Sequence, residues 1–310
     1  MSVLAMLIAL CLDFTLGDPS WNWHPVRILG RLISYIEPLC RTFPVHPKAQ
    51  GFIFAALNIV IFIVPVLFVS LLFSHAGYLR DISDGIIIYF AIGGTCLARE
   101  VGGLSDALES GGIVMGREKL RMLVSRDVGS MDEAAVVSSA IETLSENFSD
   151  SAVAALFYAA LGGPVLAWIH RISNTLDAMA GYKTEEYADF GYASAKLDDV
   201  LNFIPARLSA LIVALSSYPG GVAETIRCAL ENGRKLSSPN SGYPIAAFAG
   251  ALGVKLCGPV SYFGKVKDKP FIGDGPRPDV SCLKRAVVLY WNSYALAAAG
   301  AVLISEAVRI

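Results

Sequence analysis

The sequence predicts an all-α integral membrane protein, a polytopic helical bundle with about four to six membrane crossings joined by helical polar loops. The first observation is composition: the 310 residues are 54% hydrophobic and only 17% charged, whereas a soluble domain carries about 25% charged residues. The second is the presence of apolar runs that approach the roughly 20 residues a helix needs to cross the hydrocarbon core. Because backbone amides in lipid must be hydrogen-bonded within their own segment, these runs are expected to be helices.

Two apolar runs are long enough to cross a bilayer without a break. Residues 52–73 contain no charged side chain, and residues 286–308 are nearly as apolar. The run 151–169 is also long enough, but Gly162-Gly163-Pro164 interrupts it, which predicts a bent or broken helix. The weaker candidates are residues 82–98, 203–216 and 243–259.

Four polar stretches lie between these runs, at residues 18–50, 99–150, 170–202 and 258–285. The chain shows no internal repeat and no low-complexity linker, so we expect a single polytopic membrane domain over residues 1–310. Stretches 18–50 and 258–285 are rich in lysine and arginine, which favours the cytoplasmic side of a cell membrane. We expect the functional loops to face the cytoplasm. If residues 151–169 cross fully, they place 99–150 and 170–202 on opposite sides; if they bend back, the two stretches stay together.

Several function classes are disfavoured. A net charge of −2 gives no reason to expect a nucleic-acid partner. The six cysteines form no CxxC pair and the four histidines are scattered, so a zinc site is not expected. The chain lacks the glycine-rich P-loop, the nucleophile elbow of serine hydrolases and the HExxH zinc motif, so any ATP is held in another way.

The first polar constellation is an acidic helix in stretch 99–150. Ser130 followed by Glu133 has the spacing of a capping box, and the predicted helix ends near Asp150. Glu142, Glu146 and Asp150 recur every four residues, opposite an apolar face. Carboxylates in such a row repel one another unless a cation lies among them, and Mg²⁺ bridging to phosphate oxygens is the natural candidate. The alternative is an ordinary solvated helix face.

The second constellation is the run 174–207, where acids, bases and amides are dense between two apolar segments. Lys196 and Asp199 are one helical turn apart and can pair with each other. Unpaired charge at a membrane boundary is costly, so the remaining groups indicate a functional site. The polar side chains singled out here are Asn174, Asp177, Lys183, Asp189, Lys196, Asp198, Asp199 and Arg207.

The third constellation, residues 237–244, contains Ser238 and Asn240 ahead of an alanine- and glycine-rich run. Turn chemistry alone produces such a string. It is equally suited to present backbone N–H groups to an anion at the start of a helix.

An ordered set of motifs covers almost the whole chain. It comprises Gly17-Asp18-Pro19, His24-Pro25-Val26-Arg27, Arg126-Asp127, Glu146-Asn147-Phe148-Ser149-Asp150, Asn174-Thr175-Leu176-Asp177, Tyr187-Ala188-Asp189-Phe190-Gly191, Ala193-Ser194-Ala195-Lys196-Leu197-Asp198-Asp199, Ser238-Pro239-Asn240 and Gly273-Asp274-Gly275. In this order the motifs resemble the adenosylcobinamide-phosphate synthase family of cobalamin biosynthesis (CobD/CbiB). Tyr192 and Tyr243 stand where tryptophan is usual in the family, and tyrosine stacks in a similar way.

The resemblance implies a membrane enzyme that joins adenosylcobyric acid to an amino-alcohol phosphate (aminopropanol phosphate or ethanolamine phosphate) with ATP, giving adenosylcobinamide phosphate. A carboxylate does not react with an amine directly, so ATP would first convert it to an acyl phosphate. The implied ligands are ATP with Mg²⁺, the corrinoid and the amino-alcohol phosphate. The implied partners are the bilayer and other membrane-associated enzymes of cobalamin nucleotide-loop assembly.

Roles for individual residues in such a reaction follow from their chemistry. The expected metal ligands are Glu142, Glu146 and Asp150, with Asp177 as a fourth candidate. The expected phosphate- and substrate-binding residues are Arg126, Asn174, Lys183, Arg207, Ser238 and Asn240. The expected catalytic residues are Asp177, Asp189, Lys196 and Asp199. Asp189 or Asp199 is expected to take the ammonium proton, and Lys196 to neutralise phosphate.

Two other classes fit the hydropathy. A membrane transferase using magnesium–diphosphate chemistry also needs acidic helices, but only one such acidic motif is present. A membrane transporter would explain the apolar runs without requiring so many acids and bases between them. Corrinoid binding, visible by its colour, distinguishes the ligase from both.

Overall fold

The computed structural model describes residues 2–19, 21–182, 184–217, 221–262 and 265–309. The helices are α1 (Val3–Leu16), α2 (Pro25–Arg41), α3 (Pro47–Leu72), α4 (Tyr78–Tyr89), α5 (Cys96–Arg121), α6 (Glu133–Asn147), α7 (Ala154–Ala180), α8 (Tyr192–Leu201), α9 (Phe203–Ser216), α10 (Val222–Asn232), α11 (Gly242–Leu252) and α12 (Val280–Arg309). A π-helical turn, Phe148–Val153, joins α6 to α7. The predominantly helical fold confirms the predicted class.

The stretch 258–285 differs from the prediction of helical polar loops. Its first part forms very short strands rather than a helix, in keeping with its prolines and glycines. The strands are β1 (Leu256–Cys257, directly before this stretch), β2 (Val260–Tyr262), β3 (Lys265–Lys267) and β4 (Phe271–Ile272). β1 pairs antiparallel with β4, and β2 pairs antiparallel with β3.

Three helical segments of the described chain are long and apolar enough to cross a membrane. They are α3, the segment Glu133–Ala180 and the α12 segment Val280–Val308. The bent pair α8–α9 adds a fourth if the two helices are counted as one span. The chain is therefore a polytopic helical membrane protein, and the predicted spans 52–73 and 286–308 are confirmed as long apolar helices. The side of the membrane that each polar stretch faces stays a prediction.

The weaker predicted spans have mixed outcomes. The break at residues 162–164 is confirmed, since Gly162 and Gly163 leave helical geometry inside α7. Residues 82–98 are not one span, because α4 ends at Tyr89 and α5 begins only at Cys96, after a glycine pair. Residues 243–259 are also wrong as a continuous helix: α11 ends at Leu252, where Gly253 takes the left-handed conformation of a helix C-cap (φ 68°).

The described residues form two compact units, each assembled from separate parts of the chain. The first unit contains residues from 1–93, 154–202 and 298–310, and the second contains residues from 94–153 and 203–297. The prediction of a single membrane domain stays a prediction.

In the first unit, α3 packs against α2, α7 and α8, and α1 packs against α4. The ring of Phe54 in α3 meets that of Phe190 at 5.0 Å between centroids, and both side chains are buried. In the second unit, α9, α10 and α11 pack together, while α6 contacts α5, α11 and β1. Phe148 from the π-helical turn packs against Phe248 and Tyr290 at the centre of that unit.

Gly51 lets α3 approach the segment before α8 closely. A Cβ atom added at Gly51 would overlap the backbone carbonyl of Phe190. We expect Gly51→Ala to lower the thermal stability in detergent, by an overpacking cost of about 1–3 kcal/mol. Gly102→Ala in α5 is the matched control, since a Cβ there meets no atom within 4 Å, and this change should be neutral or stabilising. Equal melting temperatures for the two variants would contradict the close packing at Gly51.

Candidate functional site

A pocket of about 530 Å³ lies in the second unit, between the N-terminal half of α6 and the segment around β1 and β2. We call it the Arg126 pocket. Its volume lies within the range of small-molecule sites, about 300–1,000 Å³. The charged residues and the thiol that line it are Arg126, Asp127, Asp132, Glu142, Lys255, Cys257 and Arg277.

Glu142 is a buried carboxylate of this pocket, only 4% exposed. One of its oxygens accepts hydrogen bonds from the Ser138 hydroxyl (3.0 Å) and the Cys257 backbone N–H (3.2 Å). The other accepts from the Arg126 guanidinium at 3.0 Å. The carboxylate therefore compensates a buried cation and ties β1 to α6. These contacts give Glu142 a holding role; its predicted role as a metal ligand stays a prediction.

Two further links join the same parts of the chain. The Ser261 hydroxyl donates to Asp127 at 2.7 Å, and the Asp127 backbone N–H donates to the Ser261 carbonyl at 2.9 Å. Arg277 forms a bidentate pair with Asp132, at 2.7 and 2.6 Å. Links between segments so distant in sequence preorganise the pocket.

The acidic helix α6 begins two residues later than the predicted Ser130 capping box would place it. The N-cap of α6 is Asp132, whose carboxylate accepts the Ala135 N–H at 2.9 Å; the capping box predicted at Ser130 is wrong. The Asp132 carboxylate caps the helix and also forms an ion pair with Arg277. The neutral Ser130 hydroxyl cannot form such an ion pair. The hydrogen bond from Arg277 lowers the pKa of Asp132, so the carboxylate is charged at neutral pH.

The Cys257 thiol lies in the pocket without the character of a nucleophile. Burial raises the pKa of Cys257, and the nearby Glu142 carboxylate raises it further. Reactive cysteines have a lowered pKa, because the thiolate is the attacking form. Cys257 is therefore not assigned a nucleophilic role.

A second cluster of the same unit, the Arg207 cluster, joins α9 to the start of α11. The Arg207 guanidinium donates to the Asn240 side-chain oxygen at 3.2 Å and lies over the Tyr243 ring, 4.2 Å from its centroid. Arg234 donates to the Tyr243 hydroxyl at 3.2 Å; this bond, with the charge of Arg207, lowers the pKa of Tyr243. The Ser238 hydroxyl accepts two backbone N–H groups of its own turn. The structure thus brings together three residues predicted to bind phosphate or substrate: Arg207, Ser238 and Asn240.

The first unit contains a third cluster, the carboxylate cluster, between the end of α7 and α8. Asn174 donates to Asp198 at 3.5 Å, and Asp177 is close enough to act electrostatically on Asp198. Lys196 pairs with Asp199 at 3.0 Å, as their spacing allows. Two neighbouring carboxylates and an amide are the oxygen-bearing groups that Mg²⁺ takes in proteins.

Two other residues predicted to act in the site, Lys183 and Asp189, are close in sequence to this cluster. Asp189 is about half exposed, and its carboxylate is 3.6 Å from the Lys48 ammonium. Lys183, predicted to bind phosphate, lies outside the described residues.

The three carboxylates predicted to form a row along one helix face differ in their exposure to solvent. Glu142 is buried, Glu146 is exposed, and Asp150 is half-buried in the π-helical turn. The wider turns of a π-helix change the helical phase, so the four-residue spacing does not carry through to Asp150. Within the described ranges, no group of three or more His, Cys, Asp or Glu side chains is placed to hold a metal.

The predicted proximity of Glu146 to Asp177 or Asp199 stays a prediction, since Glu146 belongs to the second unit and the aspartates to the first. Sequence reasoning missed Lys255, Cys257 and Arg277 in the pocket. Lys255 and Cys257 fell inside the run 243–259, which was interpreted as a weak span, and no local motif marks Arg277.

Comparison with known proteins agrees with the order of motifs in the sequence. The family model described as "CobD/Cbib protein" matches residues 6–290. A relative from Clostridium perfringens is 41% identical over 286 residues, 89% of each chain. Relatives from Chromobacterium violaceum and Klebsiella pneumoniae are 38% and 36% identical, covering 98% and 96% of each chain. All three are named cobalamin biosynthesis protein CobD. No solved structure matches the chain. The match across almost the whole length shows that the chain belongs to the CobD/CbiB family.

Proposed function

We propose that this protein acts in cobalamin biosynthesis as an ATP-dependent amide ligase, joining adenosylcobyric acid to an amino-alcohol phosphate to give adenosylcobinamide phosphate. Membership of the CobD/CbiB family and the names of the relatives support the pathway. The observation that carries the ligase proposal is the Arg126 pocket. Its Arg126–Glu142 pair is largely buried, at 11% and 5% side-chain exposure, and Lys255 and Arg277 line the same pocket.

The reaction needs two steps. The corrinoid carboxylate attacks the γ-phosphorus of ATP, so ADP leaves and an acyl phosphate forms. The amine nitrogen then attacks the acyl carbon, inorganic phosphate leaves, and the proton of the nitrogen passes to a base. Each phosphate develops or carries negative charge, so preorganised cations contribute most to such a site.

The carboxylate cluster suits the magnesium that accompanies ATP. Asp177 and Asp198 repel each other unless a cation or a proton lies between them, and Mg²⁺ is usually bound by one or two carboxylates. In this proposal Asp177 and Asp198 would hold the ion, with Asn174 beside them, and the ion would supply positive charge to offset the nucleotide phosphates. Glu142 is assigned to holding Arg126, and the metal-binding role expected of Glu146 stays a prediction.

The Arg207 cluster supplies a fixed guanidinium for a second anionic group. Arg207 donates to the Phe203 carbonyl at 2.7 Å as well as to Asn240, and its guanidinium lies over the Phe203 ring at 3.5 Å. A guanidinium held on several sides loses little conformational entropy when it binds phosphate. We assign this cluster to phosphate binding, with Arg234 beside it.

The proton released by the amine nitrogen requires a carboxylate that can accept it. Asp199 and Asp189 each lie beside a lysine and remain partly open to solvent. Either can accept a proton and release it to water. The separate variants Asp189→Asn and Asp199→Asn distinguish the two, because only the variant that removes the base should slow amide formation.

The proposal is tested with the full chain purified in detergent. Adenosylcobyric acid, aminopropanol phosphate and ATP–Mg²⁺ are incubated with the protein, and the corrinoid is analysed by mass spectrometry. We expect a mass increase equal to aminopropanol phosphate minus one water, and no product when ATP is omitted. If folded protein leaves the corrinoid unmodified with all substrates present, the ligase proposal is wrong.

A further inference from the structure

Among the described residues, two of the three cations that line the Arg126 pocket have a carboxylate partner and one does not. The lining contains three cations and three carboxylates among the described residues, so its formal charge sums to zero. Arg126 is paired with Glu142, and Arg277 with Asp132. Lys255 is the exception: within the described part of the chain, its half-buried ammonium forms no ion pair and lies 5.3 Å from the centroid of the Phe271 ring.

This arrangement leaves one cation that a ligand can neutralise. A half-buried ammonium loses part of its hydration, and an aromatic face compensates it only in part. An anion bound beside Lys255 would form a charge-assisted hydrogen bond without displacing a protein carboxylate. The anion-binding capacity of the pocket therefore rests on Lys255.

The carboxylates of the lining point to a ligand that also carries positive charge. Asp132 accepts two hydrogen bonds from Arg277 and one from the Ala135 N–H, and a carboxylate has about four acceptor sites, so it can accept an ammonium as well. A nucleoside triphosphate would face three carboxylates in the same pocket, and like charges opposed in an interface disfavour binding. A zwitterion with balanced charge is complementary to such a lining.

We propose that the Arg126 pocket binds a small phosphate monoester carrying an ammonium group, with Lys255 as the phosphate ligand and Asp132 facing the ammonium. This inference rests on the proposed function, in which that molecule is the amino-alcohol phosphate. The links Glu142–Cys257, Asp127–Ser261 and Asp132–Arg277 fix the pocket before the ligand arrives, which reduces the entropic cost of binding.

The test is calorimetric binding of aminopropanol phosphate to the full chain in detergent, without ATP or corrinoid. We expect Lys255→Gln to weaken binding by about tenfold or more, as loss of one charged hydrogen bond implies, and Lys255→Arg to retain most of it. Lys267→Gln is the matched control, because Lys267 is an exposed lysine of the same unit outside the pocket lining. Inorganic phosphate should bind more weakly than aminopropanol phosphate and with the same dependence on Lys255.

Each result has a defined meaning. Wild-type affinity in folded Lys255→Gln overturns the proposal, and so does Lys255-dependent binding of ATP–Mg²⁺ that exceeds binding of aminopropanol phosphate. Equal binding of inorganic phosphate and aminopropanol phosphate removes the ammonium part of the proposal and overturns the zwitterion. If aminopropanol phosphate binds through Lys255 but no adenosylcobinamide phosphate forms in the complete assay, the pocket assignment stands and the ligase proposal fails.

Discussion

Replacing Glu142 by glutamine is expected to reduce ligation by about a hundredfold or more, and added Mg²⁺ is not expected to restore it. The carboxylate accepts hydrogen bonds from Arg126, Ser138 and the Cys257 backbone. Glutamine keeps one acceptor oxygen but presents an amide N–H₂ group on its other side. Removing one partner of a buried ion pair typically costs about 3–5 kcal/mol. A displacement of about 1 Å at a reactive site can cost a hundredfold in rate.

The measurement combines the melting temperature in detergent with product formation across a Mg²⁺ titration. Glu142→Gln should lower both the melting temperature and the rate at every Mg²⁺ concentration. Glu146→Gln, one turn along α6 at an exposed position, is the comparison. If Glu146 binds the metal, its variant should melt like the wild type and need more Mg²⁺. A normal melting temperature with a raised Mg²⁺ requirement in Glu142→Gln would return Glu142 to the metal site.

The long apolar helices were predictable because their signal is local. A run such as 52–73 meets the length requirement of the bilayer without reference to any other part of the chain, and α3 follows it closely. The shorter runs were less predictable from hydropathy: α4 ends at Tyr89, ahead of the Gly93-Gly94 pair, and Gly253 in the left-handed conformation ends α11.

The candidate site was less predictable because its contacts are distant in sequence. The periodicity of α6 places Glu142 on a polar face, and nothing local indicates that Arg126 and the Cys257 backbone will bury it. The π-helical turn is equally invisible in the spacing of Glu146 and Asp150. By contrast, the Lys196–Asp199 pair was correctly anticipated, since one helical turn separates them.

Replacing Asp198 by asparagine is expected to reduce ligation while leaving the protein as stable as the wild type, or more stable, in the absence of Mg²⁺. Asp198 is half-buried, and the Asp177 carboxylate acts on it with like charge. Asparagine removes that repulsion and has nearly the same volume. If the two carboxylates hold the ion that accompanies ATP, the loss should be roughly tenfold to a hundredfold, with a raised Mg²⁺ requirement.

A second readout separates metal binding from catalysis. A ligand that binds the native state raises its stability in proportion to the logarithm of its concentration. Mg²⁺, added with a non-hydrolysable ATP analogue, should therefore raise the melting temperature of the wild type and not that of Asp198→Asn. Asp106→Asn is the control, because Asp106 is an exposed aspartate of α5 in the other unit, and this variant should keep the shift. A full Mg²⁺-dependent shift in Asp198→Asn would show that the carboxylate cluster does not bind the ion and would move the metal assignment to Glu146 and Asp150.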